Sequence, residues 1–137
     1  QIIWTDADRH EYLEESGTMN IFFMINDTLI TAPTNDRILD GVTRKSIVQL
    51  SKDRGIAVEE RPIKVSEIVE AHKQGILQEI FGTGTAVVVL PIHSFSYREV
   101  TYRLPEENTI AKLLKNDLLG IQYNTMEDPH KWRVAVD

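Results

Sequence analysis

Asn20-Ile21-Phe22-Phe23-Met24-Ile25-Asn26 is the stretch on which the fold turns. It is apolar at successive positions, rich in β-branched and aromatic residues, and bounded by Asn at both ends, which predicts a strand covered on both faces. Asn26-Asp27-Thr28 supplies turn residues before a second short strand, Leu29-Ile30-Thr31, so the pair reads as a hairpin. Upstream, Gln1-Ile2-Ile3-Trp4 is apolar from its second residue and reads as a buried strand. Chain ends are usually polar and loosely held. With no initiating Met, cap or linker before that strand, the expectation is a piece cut from a longer chain.

Downstream, Pro33, Asn35 and Asp36 make a loop. Between Asp40-Gly41 and Arg54-Gly55, Val42, Ile47 and Leu50 recur at helical spacing, Lys45, Lys52 and Asp53 fall elsewhere, and Gly55 stands where a C-cap belongs. Residues 56–63 alternate as a strand, and a second helix opens at Ser66-Glu67 and ends at Gly75. A further strand, Gln78-Glu79-Ile80-Phe81, enters Gly82-Thr83-Gly84-Thr85, read as a loop or tight turn into Ala86-Val87-Val88-Val89-Leu90-Pro91, the expected most buried strand. Ser94 to Leu104 reads as an exposed hairpin with Tyr97, Val100 and Tyr102 as its apolar contribution. Ile110, Leu113, Leu114, Leu118 and Ile121 lie on one helical face, and the tail from Tyr123 to Asp137, with Trp132, is read as adding a last strand. The expectation is one mixed α/β domain over residues 1–137, with largely antiparallel sheets and flanking helices.

The chain has 137 residues, with 15 Lys plus Arg against 21 Asp plus Glu, a net charge of −6 that argues against a nucleic-acid partner. With 42% apolar and 26% charged residues, the composition is that of a globular protein able to bury a core. There is no Cys, which excludes a disulfide scaffold, a thiolate zinc site and a Cys nucleophile. The apolar run from Ala86 to Ile92 falls far short of the roughly 18 residues of a membrane span, and Gln1 to Asp6 have no signal-peptide character. A cytoplasmic protein without a membrane partner is expected. His10, His72, His93 and His130 are not spaced in pairs, and His10-Glu11-Tyr12-Leu13-Glu14 lacks the second His of a zinc-protease helix, so no metal is expected. Asn26-Asp27-Thr28 fits a glycosylation acceptor but reads as turn residues.

Three features bear on chemistry. Gly82-Thr83-Gly84-Thr85-Ala86 brings backbone N–H groups where an anion could approach, yet it lacks a P-loop Lys, and Val87 replaces the third glycine of a dinucleotide fingerprint. Asp40-Gly41-Val42-Thr43-Arg44 opens a helix, whose positive end favours phosphate unless Asp40 caps it with its own carboxylate. Glu15 precedes a buried strand and needs a partner: an Arg, a cluster of backbone N–H groups, or a ligand cation.

These strings occur in order with Gln1-Ile2-Ile3-Trp4, Glu15-Ser16-Gly17-Thr18-Met19-Asn20-Ile21-Phe22, Ile38-Leu39-Asp40-Gly41-Val42-Thr43-Arg44-Lys45-Ser46, Val58-Glu59-Glu60-Arg61, Glu79-Ile80-Phe81-Gly82-Thr83-Gly84-Thr85-Ala86 and Gly120-Ile121-Gln122-Tyr123. Together they resemble the branched-chain amino acid aminotransferases, enzymes of fold type IV that use pyridoxal 5′-phosphate. The resemblance covers almost the whole chain. It implies the C-terminal large domain of the D-amino acid aminotransferase-like fold, with the N-terminal domain absent. It also implies amino-group transfer from leucine, isoleucine or valine to 2-oxoglutarate by a homodimer acting on amino acids and 2-oxo acids.

By the same resemblance, Glu15 pairs with the pyridine nitrogen, Leu39 packs on the ring face, and Val42 and Thr43 hold the cofactor phosphate with Thr85. Thr85 and Ala86 bind the substrate α-carboxylate through their amides, and Thr18 and Met19 form part of the side-chain pocket. The family usually has Pro where this chain has Asp40, an acid that would repel phosphate unless turned away as a cap. The Schiff-base lysine of the family stands before the position of Gln1, and Lys45, Lys52, Lys64, Lys73, Lys112, Lys115 and Lys131 do not match its context. The chain alone is therefore expected to be inactive. Rival expectations are a D-amino acid aminotransferase, an aminodeoxychorismate lyase, or a non-catalytic module that keeps the phosphate cradle.

Overall fold

The computed structural model describes residues 1–136. Twelve elements follow one another: β1 (Ile3–Thr5), β2 (Leu13–Ser16), β3 (Asn20–Ile25), β4 (Thr28–Thr31), α1 (Val42–Asp53), β5 (Ala57–Glu60), α2 (Val65–Lys73), β6 (Leu77–Gly84), β7 (Val88–Ile92), β8 (Ser94–Tyr97), β9 (Val100–Arg103) and α3 (Thr109–Gln122). The main sheet runs β5-β4-β3-β6-β7, antiparallel except for the β4/β5 pair, which α1 connects. The mixed α/β fold with largely antiparallel pairing is as expected.

The central strand β3 is buried at every position, because both faces of the sheet carry helices. Phe22 and Met24 face α1 and α3 with Leu29, Ile47, Phe81, Leu114 and Leu118. Ile21, Phe23 and Ile25 face the other way, into a cluster with Ile63, Ile68, Leu77 and Ile80 beneath α2. Alternation along the strand sends neighbouring side chains to opposite layers, which is why an unbroken apolar run was needed. Phe22 and Phe81 stack across the β3/β6 pair with centroids 5.3 Å apart. The β3–β4 hairpin turns on Asn26 and Asp27, at φ 47° and 62°, the left-handed pair that such a two-residue turn demands.

Four local expectations are corrected. Residues 88–92 are not the most buried strand: β7 is an edge strand in which only Val89 is buried, since an apolar run does not reveal whether a strand has one neighbour or two. The strand at the start forms, but Ile2 and Trp4 are exposed because the two-stranded β1/β2 sheet has an open outer face. Gly82-Thr83-Gly84 is not a loop but the end of β6, and the turn occupies residues 85–87. The described tail residues form turns and coil with no strand, and Asp137 lies outside the described residues. Among the described residues no helix is long and apolar enough to cross a membrane.

Candidate functional site

Three connections converge above one end of the sheet. After β2 the chain reverses through Gly17 and Thr18, closed by Ser16 N–H to the Met19 carbonyl at 3.0 Å and by the reciprocal bond at 3.1 Å, so Asn20 enters β3 directly below. The Asn35 side chain accepts N–H bonds from Arg37 and Ile38 at 2.8 and 3.1 Å, an Asx turn that carries Leu39 outward before α1. The third connection is the turn between β6 and β7. The three enclose a cleft of about 330 Å³ that Glu15, Thr18, Met19, Leu39, Val42, Thr43 and Thr85 line together with Asn20, Asp40, Gly41 and Thr83. Of the residues singled out from sequence, only Ala86 is not on the lining, and it lies exposed on the adjoining turn. Leu39 is 70% and Val42 79% exposed, apolar side chains offered to solvent at the mouth of the cleft.

One wall is acidic. Glu15 Oε2 accepts the Leu39 N–H at 3.0 Å and a longer bond from Asn20 Nδ2 at 3.4 Å, which makes its partners N–H donors rather than an Arg. Its other oxygen, Oε1, makes no hydrogen bond among the described residues and remains available to a donor in the cleft. Asn20 is buried and also donates to the Leu39 carbonyl at 2.8 Å, so it joins β3, the Glu15 carboxylate and the loop into one network.

The opposite wall is the amino end of α1. Gly41 is the N-cap, with extended backbone at φ −61° and ψ 137°, and no side chain caps the helix. Among the described residues the first-turn amides of Val42, Thr43 and Arg44 therefore have no partner, and they sit at the positive end of the helix dipole. A Cβ at Gly41 would lie 2.4 Å from Asn20 Oδ1, so the close approach of the helix to the sheet needs glycine here. Asp40 does not cap the helix, contrary to one of the two competing expectations. It pairs with Lys45 Nζ at 2.6 Å, which offsets its charge at the rim.

The floor explains the glycines of β6. A Cβ at Gly82 would lie 2.6 Å from Met19 Sδ, and one at Gly84 would lie 2.8 Å from the Thr18 carbonyl. Glycine lets the Thr18–Met19 turn rest on the strand, a packing role rather than a flexible loop. Between them Thr83 is 1% exposed, and among the described residues its Oγ1 has no hydrogen-bond partner. Val88, closing the turn, has φ 61°, strained for a β-branched residue. Asn20 and Thr83 were missed from sequence. The available signal was a polar residue at an inward position of an otherwise apolar strand.

An acid at one end and unsatisfied N–H donors at the positive end of a helix suit a ligand with an anionic group on one side and a protonatable nitrogen on the other. Among the described residues no three His, Cys, Asp or Glu side chains cluster to hold a metal ion.

Comparison with known proteins follows the same lines. The family described as amino-transferase class IV matches residues 1–95. The chain is 43% identical over 138 aligned positions to a probable branched-chain-amino-acid aminotransferase of Staphylococcus aureus (strain N315), covering 99% of this chain and 38% of that protein. Its fold is similar to the branched-chain amino acid aminotransferase from Escherichia coli, with 25% identity and TM-score 0.77 over 95% of this chain and 41% of that one. It is also similar to an aminotransferase from Brucella abortus bound to the cofactor PLP, with 27% identity and TM-score 0.64 over 78% of this chain and 35% of that one. The chain thus spans 38% of the length of the Staphylococcus relative.

Proposed function

We infer the function from one premise, that this chain belongs to the class IV aminotransferase family. We propose that it is the C-terminal, cofactor-cradling part of a longer branched-chain amino acid aminotransferase, which transfers an amino group from leucine, isoleucine or valine to 2-oxoglutarate. The observation that carries this reading is the pairing of Glu15 with the uncapped amino end of α1 across one cleft.

The residues fit pyridoxal 5′-phosphate: free amides at a helix start for its anionic group, a carboxylate oxygen for its ring nitrogen, and a glycine-floored cradle. When bound, the cofactor supplies an electron-accepting ring that stabilises negative charge at the substrate Cα. Val42 and Thr43 hold the phosphate with their amides and the Thr43 hydroxyl, assisted by Thr85. Glu15 holds a proton at the ring nitrogen, and the Leu39 N–H and Asn20 fix the orientation of that carboxylate. Leu39 covers one ring face and excludes water from it. The amides of Thr85 and Ala86 receive the substrate carboxylate, and Thr18 and Met19 line the pocket for an aliphatic side chain.

No lysine lines the cleft among the described residues, and the proton-shuttling lysine is assigned to sequence preceding Gln1 in the longer enzyme. The exposed Ile2, Trp4 and Leu90 side chains support self-association into a homodimer.

The test is titration of the chain with pyridoxal phosphate and with pyridoxal, followed by assay with leucine and 2-oxoglutarate. Phosphate-dependent binding without sustained keto-acid formation is expected. Equal affinity for the two compounds overturns the cradle, and sustained turnover overturns the assignment of the lysine.

A further inference from the structure

We infer that the Thr83 hydroxyl is a ligand-binding group at the floor of the cleft, donating its proton to an oxygen of the phosphate ester seated at the amino end of α1. This rests on the phosphate-cradle reading above and adds to it a residue that carries part of the affinity.

Thr83 stands directly opposite Asn20 on β3 and Val89 on β7, in the interior of the sheet. Strand alternation places it on the same side as Phe81, toward α1 and α3, and it lines the cleft with Thr85, two residues on. It is 1% exposed, and among the described residues Oγ1 has no hydrogen-bond partner. A threonine buried for structural reasons finds its bond within the fold: Thr31, 2% exposed in the same sheet, donates to the Ile21 carbonyl at 2.8 Å. Thr83 does not. An unpaired buried hydroxyl carries the full cost of its desolvation, which a partner arriving in the cleft would recover.

The chemistry of that partner follows from what surrounds it. The unpaired amides of Val42 and Thr43 and the positive end of α1 act as donors toward the same space. A phosphate oxygen carries negative charge and accepts from several donors at once, and a hydroxyl bond to a charged acceptor is stronger than one to a neutral acceptor. The Asp40 carboxylate is engaged by Lys45, and the open Oε1 of Glu15 is the oxygen that the reading above gives to the ring nitrogen.

The test compares the chain with Thr83→Val, which keeps the shape and removes the donor, and Thr83→Ser, which keeps the donor. Melting temperature without ligand and affinities for pyridoxal phosphate and pyridoxal are measured for all three. Thr83→Val is expected to melt at the same or a higher temperature, because an unsatisfied group is removed. It is also expected to bind pyridoxal phosphate about ten- to a hundredfold more weakly, with pyridoxal unchanged and Thr83→Ser close to the parent. Unchanged affinity for pyridoxal phosphate in Thr83→Val overturns this inference alone and leaves the cradle standing. A lower melting temperature that Thr83→Ser restores shows a structural bond and overturns it too. Failure of the parent chain to prefer pyridoxal phosphate over pyridoxal overturns both.

Discussion

Leu39 donates its main-chain N–H to Glu15 Oε2 at 3.0 Å while its carbonyl accepts from Asn20 Nδ2 at 2.8 Å. Both polar groups of one residue are thus tied to two side chains of the β2–β3 segment. The Leu39 side chain itself is exposed, so the loop is positioned through its backbone and not through packing.

Asn20→Ala is therefore expected to cost about 1 kcal/mol, since it removes one of the two donors to the Leu39 carbonyl, which keeps the Gly41 N–H at 2.9 Å, together with a longer contact to Glu15. Urea denaturation measures the loss, and hydrogen exchange at the Leu39 amide should speed up with it. A loss below about half a kcal/mol, typical of surface changes, would show that the loop is held by something other than Asn20.

Glu79 presents a second long-range polar tie. It is buried on β6, opposite Met24, and its two oxygens accept the N–H groups of Ile110 and Ala111 at 2.8 and 2.9 Å. The start of α3 is thus capped from the sheet, while its own N-cap residue, Asn108, turns its amide to the Glu106 carbonyl at 3.0 Å. Glu79→Ala is expected to destabilise the chain by about 2–3 kcal/mol, because two charge-assisted bonds at the positive helix end are lost together. Chemical denaturation should show the loss at neutral pH, and the amides of Ile110 and Ala111 should lose exchange protection first.

Glu79 also marks where the sequence stops being legible. Periodicity located the three helices and most strands because each buries a continuous face: Phe22 and Phe23 point to opposite layers, and Leu114, Leu118 and Ile121 to one. Partnership between strands is not in that signal, which is why the edge strand β7 was misjudged. A local capping rule offered Asp40 to α1, but Gly41 takes the position and Asp40 turns to Lys45. The candidate site residues came from family resemblance, and the fold gathers them without the sequence having said which strands meet. Asn20 and Thr83 escaped because their roles arise only when β3 and β6 stand side by side.

Asp6 organises the turn between β1 and β2, accepting the N–H groups of Tyr12, Arg9 and Glu11 at 2.6, 2.8 and 2.7 Å. The Tyr12 amide, with those of Arg9 and Glu11, holds its carboxyl down from the usual 3.8 to about 2, against the opposing effect of burial. Because the folded value is the lower one, this group stabilises the fold above about pH 4 and progressively ceases to do so as pH falls toward about 2. Melting temperatures taken across that interval should fall more steeply for the parent chain than for Asp6→Asn, which has no charge to lose. Identical slopes would show that the turn does not depend on the ionised carboxylate.

Gly82 and Gly84 differ in what a methyl group would strike, and this separates their substitutions. At Gly82 the nearest atoms are Met19 Sδ at 2.6 Å and Cε at 3.0 Å, the end of a flexible side chain that can swing aside. At Gly84 the nearest is the Thr18 carbonyl at 2.8 Å, fixed backbone in a turn closed by two hydrogen bonds between Ser16 and Met19. Gly84→Ala must therefore push the Thr18 turn off the strand, at about 1–3 kcal/mol, the range for overpacking a tight contact. Gly82→Ala should cost less, with Met19 taking up the change. Urea denaturation of both variants checks the order, and hydrogen exchange at Met19, whose amide bonds the Ser16 carbonyl at 3.1 Å, should quicken in Gly84→Ala alone. The reverse order would mean that Met19 is locked and that the Thr18 turn is the part that yields.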